Sequence, residues 1–596
     1  MAHMKSSRMH ILNSIHLFLI FAVSISDAFA SGPAGTVLIN GNIVTVDAEF
    51  SIVEALAITN GKFSAVGTNS DIRNLVGPAT DVIDLQGKTV VPGFIDGHAH
   101  MDREGLKYIL PSMHGVRSIA DILDVIAEEV RNKNAGEWIV TMPIGDYPYF
   151  ASGSALIAEQ RYPTRWELDR VAPDNPVYIK GIWYYWSGKP PIVSIANSYA
   201  LRLAGITKDS LPPHAGVDIG KDDITGEPNG IFRETGAIGT VEYSLMQVAP
   251  RFSYAQRLAA LKDSMRRYNA AGTTSVYEGH GISPVVIRAY KELREKDELT
   301  VRSHLVLSPT WDAAPDVAID RVLGNWAAYA SGQGLGDDML RISGIHTTVG
   351  DSPLDDIRKR ASSNPGWAGY SVDSILNDDR ASLYDLVFAS AKTDLRVNAI
   401  THNAATLDEY LTVLENVNEE IPIRDLRFVL QHLSFVSDEN LARLKELGII
   451  SVVVPGTTIW KNGLRRTVDL TDAEASTYVP LKSFLEHGVP FVFATDNVPI
   501  EPMKTLWGAI TREDAATGQI VVEDQIISRA DALRAFTING AYLSFEEDKK
   551  GSIEIGKFAD LAVLSADLLT VPADEVRDIR VLMTVVGGIT VFKSAE

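Results

Sequence analysis

The sequence predicts an α/β fold: a (β/α)8 TIM-like barrel with a discontinuous β-sandwich domain drawn from both termini and an inserted subdomain after strand one. Three observations carry this. Strand-length apolar segments alternate with amphipathic stretches through the middle of the chain, both ends are rich in short β-like segments, and one interval between strands is far longer than the rest.

Residues 1–30 read as a secretory signal. Lys5 and Arg8 supply a positive start, Ile11 to Ile25 is mostly apolar, and Ala28-Phe29-Ala30 is a small-x-small cleavage site. The competing reading is an uncleaved membrane anchor, but the apolar run is short for a span. The expectation is an exported protein, periplasmic or secreted, with no stable membrane insertion after signal cleavage.

Residues 31–92 then read as short strands with turns at Asn40-Gly41-Asn42 and Asn60-Gly61, the second a hairpin signal like the first. Residues 545–596 answer with Asp560–Leu564, Val581–Val586 and Ile589–Phe592. Two β-rich ends around one long middle form a single split domain.

The barrel is expected over 93–106 and 261–544. Its candidate strands are Thr89–His98, Thr273–Glu278, Val301–Leu307, Leu340–His346, Leu395–His402, Arg427–His432, Ile449–Pro455 and Pro490–Asp496. Leu407–Val417 and Asp438–Leu447 are amphipathic helical stretches between them. About 175 residues separate His98 from the second strand, so a subdomain is inserted over 107–260, with Ser118–Asn132 as one of its helices.

Composition narrows the chemistry. The 596 residues contain 45% hydrophobic residues, enough for a large core. There is no Cys, which excludes disulfides, thiolate zinc sites, iron–sulfur clusters and cysteine nucleophiles. A net charge of −21 argues against a general nucleic-acid binder, leaving a small-molecule substrate as the expected partner. A homodimer stays open.

Only 13 His occur, and several end predicted strands. Catalytic groups of such barrels stand at those C-terminal ends. His98 and His100 are two positions apart at the close of the first strand, where residues i and i+2 project to one side and can share a metal. His432 ends an apolar strand, where an unsatisfied ring is costly to bury, so it is read as metal ligand or catalytic group. Asp496 ends another and can bind metal or take a proton from water, against an N-cap alternative. His346 and His402 are weaker candidates for the metal shell, with Asn398 competing with His402 for the inward position. Glu278, His280, Trp183 and Glu234 are the substrate-binding candidates, each with a structural or surface alternative. Neither a phosphate-binding loop, a dinucleotide turn, a Gly-x-Ser-x-Gly elbow nor a His-Glu-x-x-His helix is present.

These residues resemble the amidohydrolase superfamily, and within it the amidohydrolase-3 branch of YtcJ-like proteins and N-substituted formamide deformylases. The likeness rests on Pro92–His100, Asn197–Leu201 with Ala204-Gly205-Ile206, Gly272–Val276, Gln431-His432, Ala494–Pro499 and Gly551–Leu561. It implies a metal-bearing barrel beside a β-sandwich and hydrolysis of amide-type bonds. Relatives often carry a carboxylated lysine near the end of strand four and a histidine on strand five; here His346 and Asn398 stand at those places.

The resulting expectation is a metal-dependent hydrolase cleaving a C–N bond of a small amide, formamide, carbamate or lactam. One dominant divalent ion, zinc first, is expected, with a second site doubtful. His98, His100, His346, His402, His432 and Asp496 are its candidate ligands, and Asp496 and His432 the catalytic pair. The alternatives are a metal-dependent lyase or decarboxylase, and a non-catalytic exported binding protein.

Overall fold

The computed structural model describes residues 33–150, 153–181, 191–235, 239–307, 319–348, 380–401 and 403–595. The leader, Trp183 and His402 lie outside the described residues.

Eight parallel strands follow one another in space in chain order: Phe94–Asp96, Thr273–Ile282, Arg302–Leu307, Leu340–Thr348, Val397–Ile400, Val429–Gln431, Ile450–Val453 and Phe491–Phe493. Single hydrogen bonds draw the last strand to the first: Gly97 N–H donates to Phe493 O at 3.0 Å, and Asp496 N–H to His98 O at 3.0 Å. The barrel is therefore nearly closed, as the alternating pattern predicts. Helices cover its outside, including Ala404–Glu420 and Asp438–Leu447. The barrel interior below the strand ends is apolar, with Val306, Val429, Ile450, Val452 and Val492 packed around Tyr277.

The first strand is not the continuous Thr89–His98 expected. The chain changes sheets at Gly93, because the pairing partners change there. Thr89–Pro92 pairs with Leu561–Leu564 and with Asn42–Val44, whereas Phe94–Asp96 pairs with the second barrel strand. A six-stranded sheet thus combines Asn42–Val44, Ile52–Val53 and Thr89–Pro92 with Leu561–Leu564, Val581–Val586 and Ile589–Lys593 from the far end of the chain. It faces a four-stranded sheet of Thr36–Ile39, Ala55–Thr59, Lys62–Gly67 and Asp81–Asp84 across a core that includes Leu38, Ile43, Leu56, Phe63, Val90, Leu561 and Met583.

The two Asn-Gly turns part company. Asn60 and Gly61, with φ of 51° and 76°, make the tight hairpin between Ala55–Thr59 and Lys62–Gly67. Asn40-Gly41 instead passes the chain from one sheet to the other, since Thr36–Ile39 and Asn42–Val44 belong to different sheets. Local turn chemistry is the same at both sites; which strand lies alongside is a tertiary choice.

Between the first and second barrel strands the chain builds a five-stranded sheet, in the order Val217–Lys221, Pro228–Glu234, Ile192–Ala196, Val177–Ile179, Ile139–Thr141. The helix expected near Ser118–Asn132 spans Ile119–Arg131, capped by the Ser118 side chain accepting from Asp121 N. Helix Tyr254–Ala270 brings the chain back and packs on the helical turns Met101–Glu104 and Gly105–Tyr108, with Gly105 N–H donating to Ser264 Oγ at 2.7 Å. No helix among the described residues is long and apolar enough to cross a membrane.

Sandwich and barrel are joined by a buried fork. Arg302 Nε and Nη2 donate to the two oxygens of Asp560 at 2.7 and 3.0 Å, and Gly587 N–H donates to the same carboxylate at 2.7 Å. A planar guanidinium meets a carboxylate bidentately there.

Below the strand ends, His304 is buried against the Tyr277 ring at 4.8 Å, and neither ring nitrogen has a hydrogen-bond partner among the described residues. Burial, with Arg396 adding to it, lowers its pKa from 6.5 to about 3. Folding therefore keeps this ring neutral, and its contribution is intact above pH 6.5 and lost as pH falls toward the folded value. At pH 5 the lost share is about 2 kcal/mol. His304→Leu should gain about that much relative to the parent between pH 8 and pH 5 in urea unfolding; parallel pH curves would refute the assignment.

Candidate metal centre

The C-terminal rim of the barrel collects the histidines. His98 and His100 leave the first strand, His280 lies near the end of the second, His346 near the end of the fourth, and His432 and Asp496 follow the sixth and eighth. His98, His100, His346 and Asp496 are buried. The His98 ring lies 4.8 Å from His100, 5.1 Å from His280 and 4.4 Å from His432, centroid to centroid. His346 is 4.9 Å from His280.

Among the described residues three ligand groupings emerge, each with donor atoms within 4.8 Å of one another: His98, His432 and Asp496; His98, His100 and His280; and His100, Asp102 and Glu278. His98 Nε2 is 3.0 Å from His432 Nε2 and 3.8 Å from Asp496 Oδ1, and His100 Nε2 is 2.9 Å from Asp496 Oδ1. His280, expected to line the substrate pocket, instead stands inside the cluster. The sequence carried a signal for it: Glu278-Gly279-His280 repeats the two-residue spacing of His98 and His100.

Protonation states fit a cation. Burial pushes the pKa of His98, His100 and His280 well below the ordinary value and lowers that of His432. All four rings are neutral at physiological pH and offer lone pairs. Gln431 Oε1, an acceptor, lies 2.9 Å from His98 Nδ1. The proton of His98 therefore sits on Nδ1, and its Nε2 lone pair points toward His432 and Asp496. Such an outer hydrogen bond fixes tautomer and ring direction at metal sites. Gly279 makes the contact possible, because a Cβ there would fall 2.3 Å from Gln431 Nε2.

The backbone at these positions is unusual. His432, Asp496 and Asn497 all take left-handed conformations, with φ of 61°, 53° and 48°. Non-glycine residues hold such angles at a cost of about 1–3 kcal/mol each and persist only where the surroundings enforce them. Asp96 is one enforcer. Its buried carboxylate accepts from Thr495 N at 3.0 Å, from His98 N at 3.2 Å and from Thr495 Oγ1. Burial raises its pKa to about 6. Lys107 is another: its Nζ donates to Glu104 Oε2 at 2.6 Å and Asn497 O at 3.3 Å, and Asn497 Nδ2 donates to the same Glu104 oxygen at 3.0 Å.

Glu278 does not open toward a pocket in this arrangement. It is buried, accepts from Tyr290 Oη at 2.7 Å and from Met101 N at 2.9 Å, and groups with His100 and Asp102. Burial first, and then Asp102, raise its pKa well above the carboxylate range. Glu234 lies on the inserted sheet, where Oε2 accepts from Thr240 N, Thr240 Oγ1 and Val241 N and so holds a turn. Asn398 pairs in register with His346, but its side chain accepts from Tyr277 Oη at 2.6 Å and donates to Ile345 O at 3.3 Å. Sequence reading missed the parts played by Asp96, Lys107 and Gln431, all polar residues beside recognised positions but with no spacing that marks them.

Residues 81–592 match the profile of the amidohydrolase family, Amidohydro_3. The chain is 28% identical over 577 residues to an N-substituted formamide deformylase of Arthrobacter pascens, spanning 93% of this chain and 97% of that protein. It is 23% identical to the "Putative amidohydrolase YtcJ" of Bacillus subtilis, over 93% of this chain and 99% of that one. A crystal structure of an uncharacterized metal-dependent hydrolase from Pyrococcus furiosus shares the fold, with a TM-score of 0.64 at 22% identity over 90% of this chain and all of that chain.

Gln431→Leu should fold but bind a divalent ion about 10–100-fold more weakly, because the His98 tautomer is no longer held. Competition with a fluorescent chelator measures this, and Gln431→Glu, which keeps an acceptor, should retain most of the affinity.

Proposed function

This chain belongs to the amidohydrolase family, and on that premise we propose that it hydrolyses a C–N bond of a small amide-type substrate, with formamides as the first class to test. The observation that carries the reading is the convergence of the His98 Nε2, His432 Nε2 and Asp496 Oδ1 donors at the barrel mouth, with the His98 tautomer fixed by Gln431. The formamide deformylase from Arthrobacter, similar over almost its whole length, supports the class of bond.

Neutral imidazoles and one carboxylate, with no thiolate in the chain, suit zinc. We assign His98, His100, His432 and Asp496 to one dominant site, with His280 and His346 closing its far side. His346 cannot form a carbamate bridge, and the Asn398 carboxamide is spent on Tyr277 and Ile345. A divalent ion there supplies Lewis acidity, lowering the pKa of water toward ~7 and polarising a carbonyl.

The chain's own groups do the rest. Asp496, beside His100 and 3.8 Å from Arg103 Nη2, takes the proton of the attacking water and returns it to the leaving nitrogen. His432, half-buried on the same rim with Nε2 3.0 Å from His98 Nε2, completes the donor set at the barrel mouth. Buried surroundings exclude competing water and strengthen these charge interactions. The positive start, apolar run and small-x-small site of residues 1–30 support export of the protein to the periplasm or outside the cell.

Turnover of formamides carrying alkyl and aryl nitrogen substituents, followed in H₂18O, tests the reaction. One solvent oxygen should enter the carboxylic product. Unlabelled product with release of CO₂ would mean a lyase instead. Chelation should abolish turnover and zinc restore it, and Asp496→Asn should lower kcat about 10²–10⁴-fold with the metal still bound.

A further inference from the structure

His98 and His100 leave the first barrel strand together but are steered differently. Gln431 fixes His98 through its ring. His100 opens the turn Met101–Glu104, and its side chain makes no cap for that turn. The first amide of the turn is nevertheless taken, because Met101 N–H donates to Glu278 Oε1 at 2.9 Å. On the other side, Ala99 N–H donates to Tyr277 O at 3.0 Å. Two consecutive residues of the second strand therefore bracket His100, one through its carbonyl and one through its side chain.

Glu278 is itself held. It is fully buried, and Tyr290 Oη donates to the same Oε1 at 2.7 Å. Tyr290 stands on helix Pro284–Glu295 and packs in the apolar cluster that contains Ala99 and Met101. A carboxyl oxygen of Glu278 also comes within 4.8 Å of a His100 ring nitrogen and of Asp102. Glu278 thus reaches both the peptide that follows His100 and the surroundings of its ring.

The direction of the His100 ring matters to the centre. Its Nε2 is 2.9 Å from Asp496 Oδ1. Groups of a functional site act only when held within about 0.5 Å of their productive geometry. A single short turn has too few internal hydrogen bonds to hold its own start. An amide at that end is ordinarily satisfied by a capping side chain next to it in sequence. Here the cap comes from Glu278, 177 residues away. The exit angle of His100 is therefore set by the packing of the second strand and the helix that follows it.

We infer that Glu278 is the positioning residue of His100, aiming its ring at Asp496 and the metal by gripping the Met101 amide, and that Tyr290 acts through Glu278. The inference rests on His100 as a ligand of the centre and needs no particular substrate. A carboxyl that only filled the core would affect stability and metal binding alike, whatever stood at position 100. A positioning carboxyl affects metal binding through His100, so substitutions at the two positions are non-additive.

Zinc affinity, read by competition with a fluorescent chelator, tests this in a double-mutant cycle. Glu278→Ala should weaken zinc binding about 10–100-fold in the parent but less than about threefold in His100→Ala. Glu278→Gln, whose side-chain oxygen can accept both bonds, should stay within about threefold of the parent. Tyr290→Phe, which keeps the ring, should weaken zinc binding severalfold in the parent and leave it unchanged in Glu278→Ala. The visible spectrum of the cobalt-substituted protein should change in Glu278→Ala and return in Glu278→Gln. Equal losses of affinity in the parent and His100→Ala backgrounds overturn the positioning role. A loss in His100→Ala with none in Glu278→Ala overturns it while leaving the metal centre intact. If His100→Ala binds zinc as tightly as the parent, His100 is not a ligand, and the metal assignment and the inference fall together. Should Glu278→Ala not fold, Tyr290→Phe carries the same cycle against His100→Ala.

Discussion

The closure of the barrel between its first and last strands is the constraint on which the site depends. Asp96 sits buried at that seam and bonds across it to Thr495 while also holding His98 N. Gly97 lies against Val492 and Phe493 O, where a Cβ would fall 2.6 and 3.0 Å away. His98 O in turn accepts from Asp496 N. Two candidate ligands nearly 400 residues apart are therefore coupled through one carboxylate and two backbone hydrogen bonds. The left-handed conformations of Asp496 and Asn497 are tolerable because this seam and the Lys107–Glu104–Asn497 bonds over-determine them.

Burial then sets the chemistry of the imidazoles. A cluster of rings this tight cannot be protonated without mutual repulsion in a poorly solvated place, so their pKa values fall and the lone pairs become available. The same low dielectric raises Asp96 and Glu278. One physical cause thus makes the histidines good ligands and lets the supporting carboxyls act as hydrogen-bonding struts. Arg103, Lys107 and Glu104, all buried on the turns after His100, belong to this polar layer between barrel and insertion.

The corrections share a pattern. His280 carried a visible spacing but looked like a pocket residue, because its neighbour Glu278 gave no hint that it would turn to Tyr290 and Met101. Asn398 and His402 could not be separated along the strand; register against Leu340–Thr348 gives the Asn398 side chain to Tyr277 and Ile345. Glu234 is a buried carboxylate that stabilises its own turn, which a list of charged residues cannot distinguish from a substrate contact. The split at Gly93 was hidden because both halves of Thr89–Asp96 are apolar and extended, and only their partners differ.

What the sequence determined by itself is periodic or punctuated: the alternation of strands and helices, the β-rich ends, the length of the insertion, the absence of thiolates, and the paired histidines at strand ends. These follow from burial and from two-residue or 3.6-residue repeats, which are local. The tertiary structure alone decided which polar residues meet. Gln431 against His98, Asp96 against Thr495, and Tyr277 against Asn398 join separate elements, and hydrogen bonds between such partners leave no period in the chain because their geometry exists only once the barrel has closed.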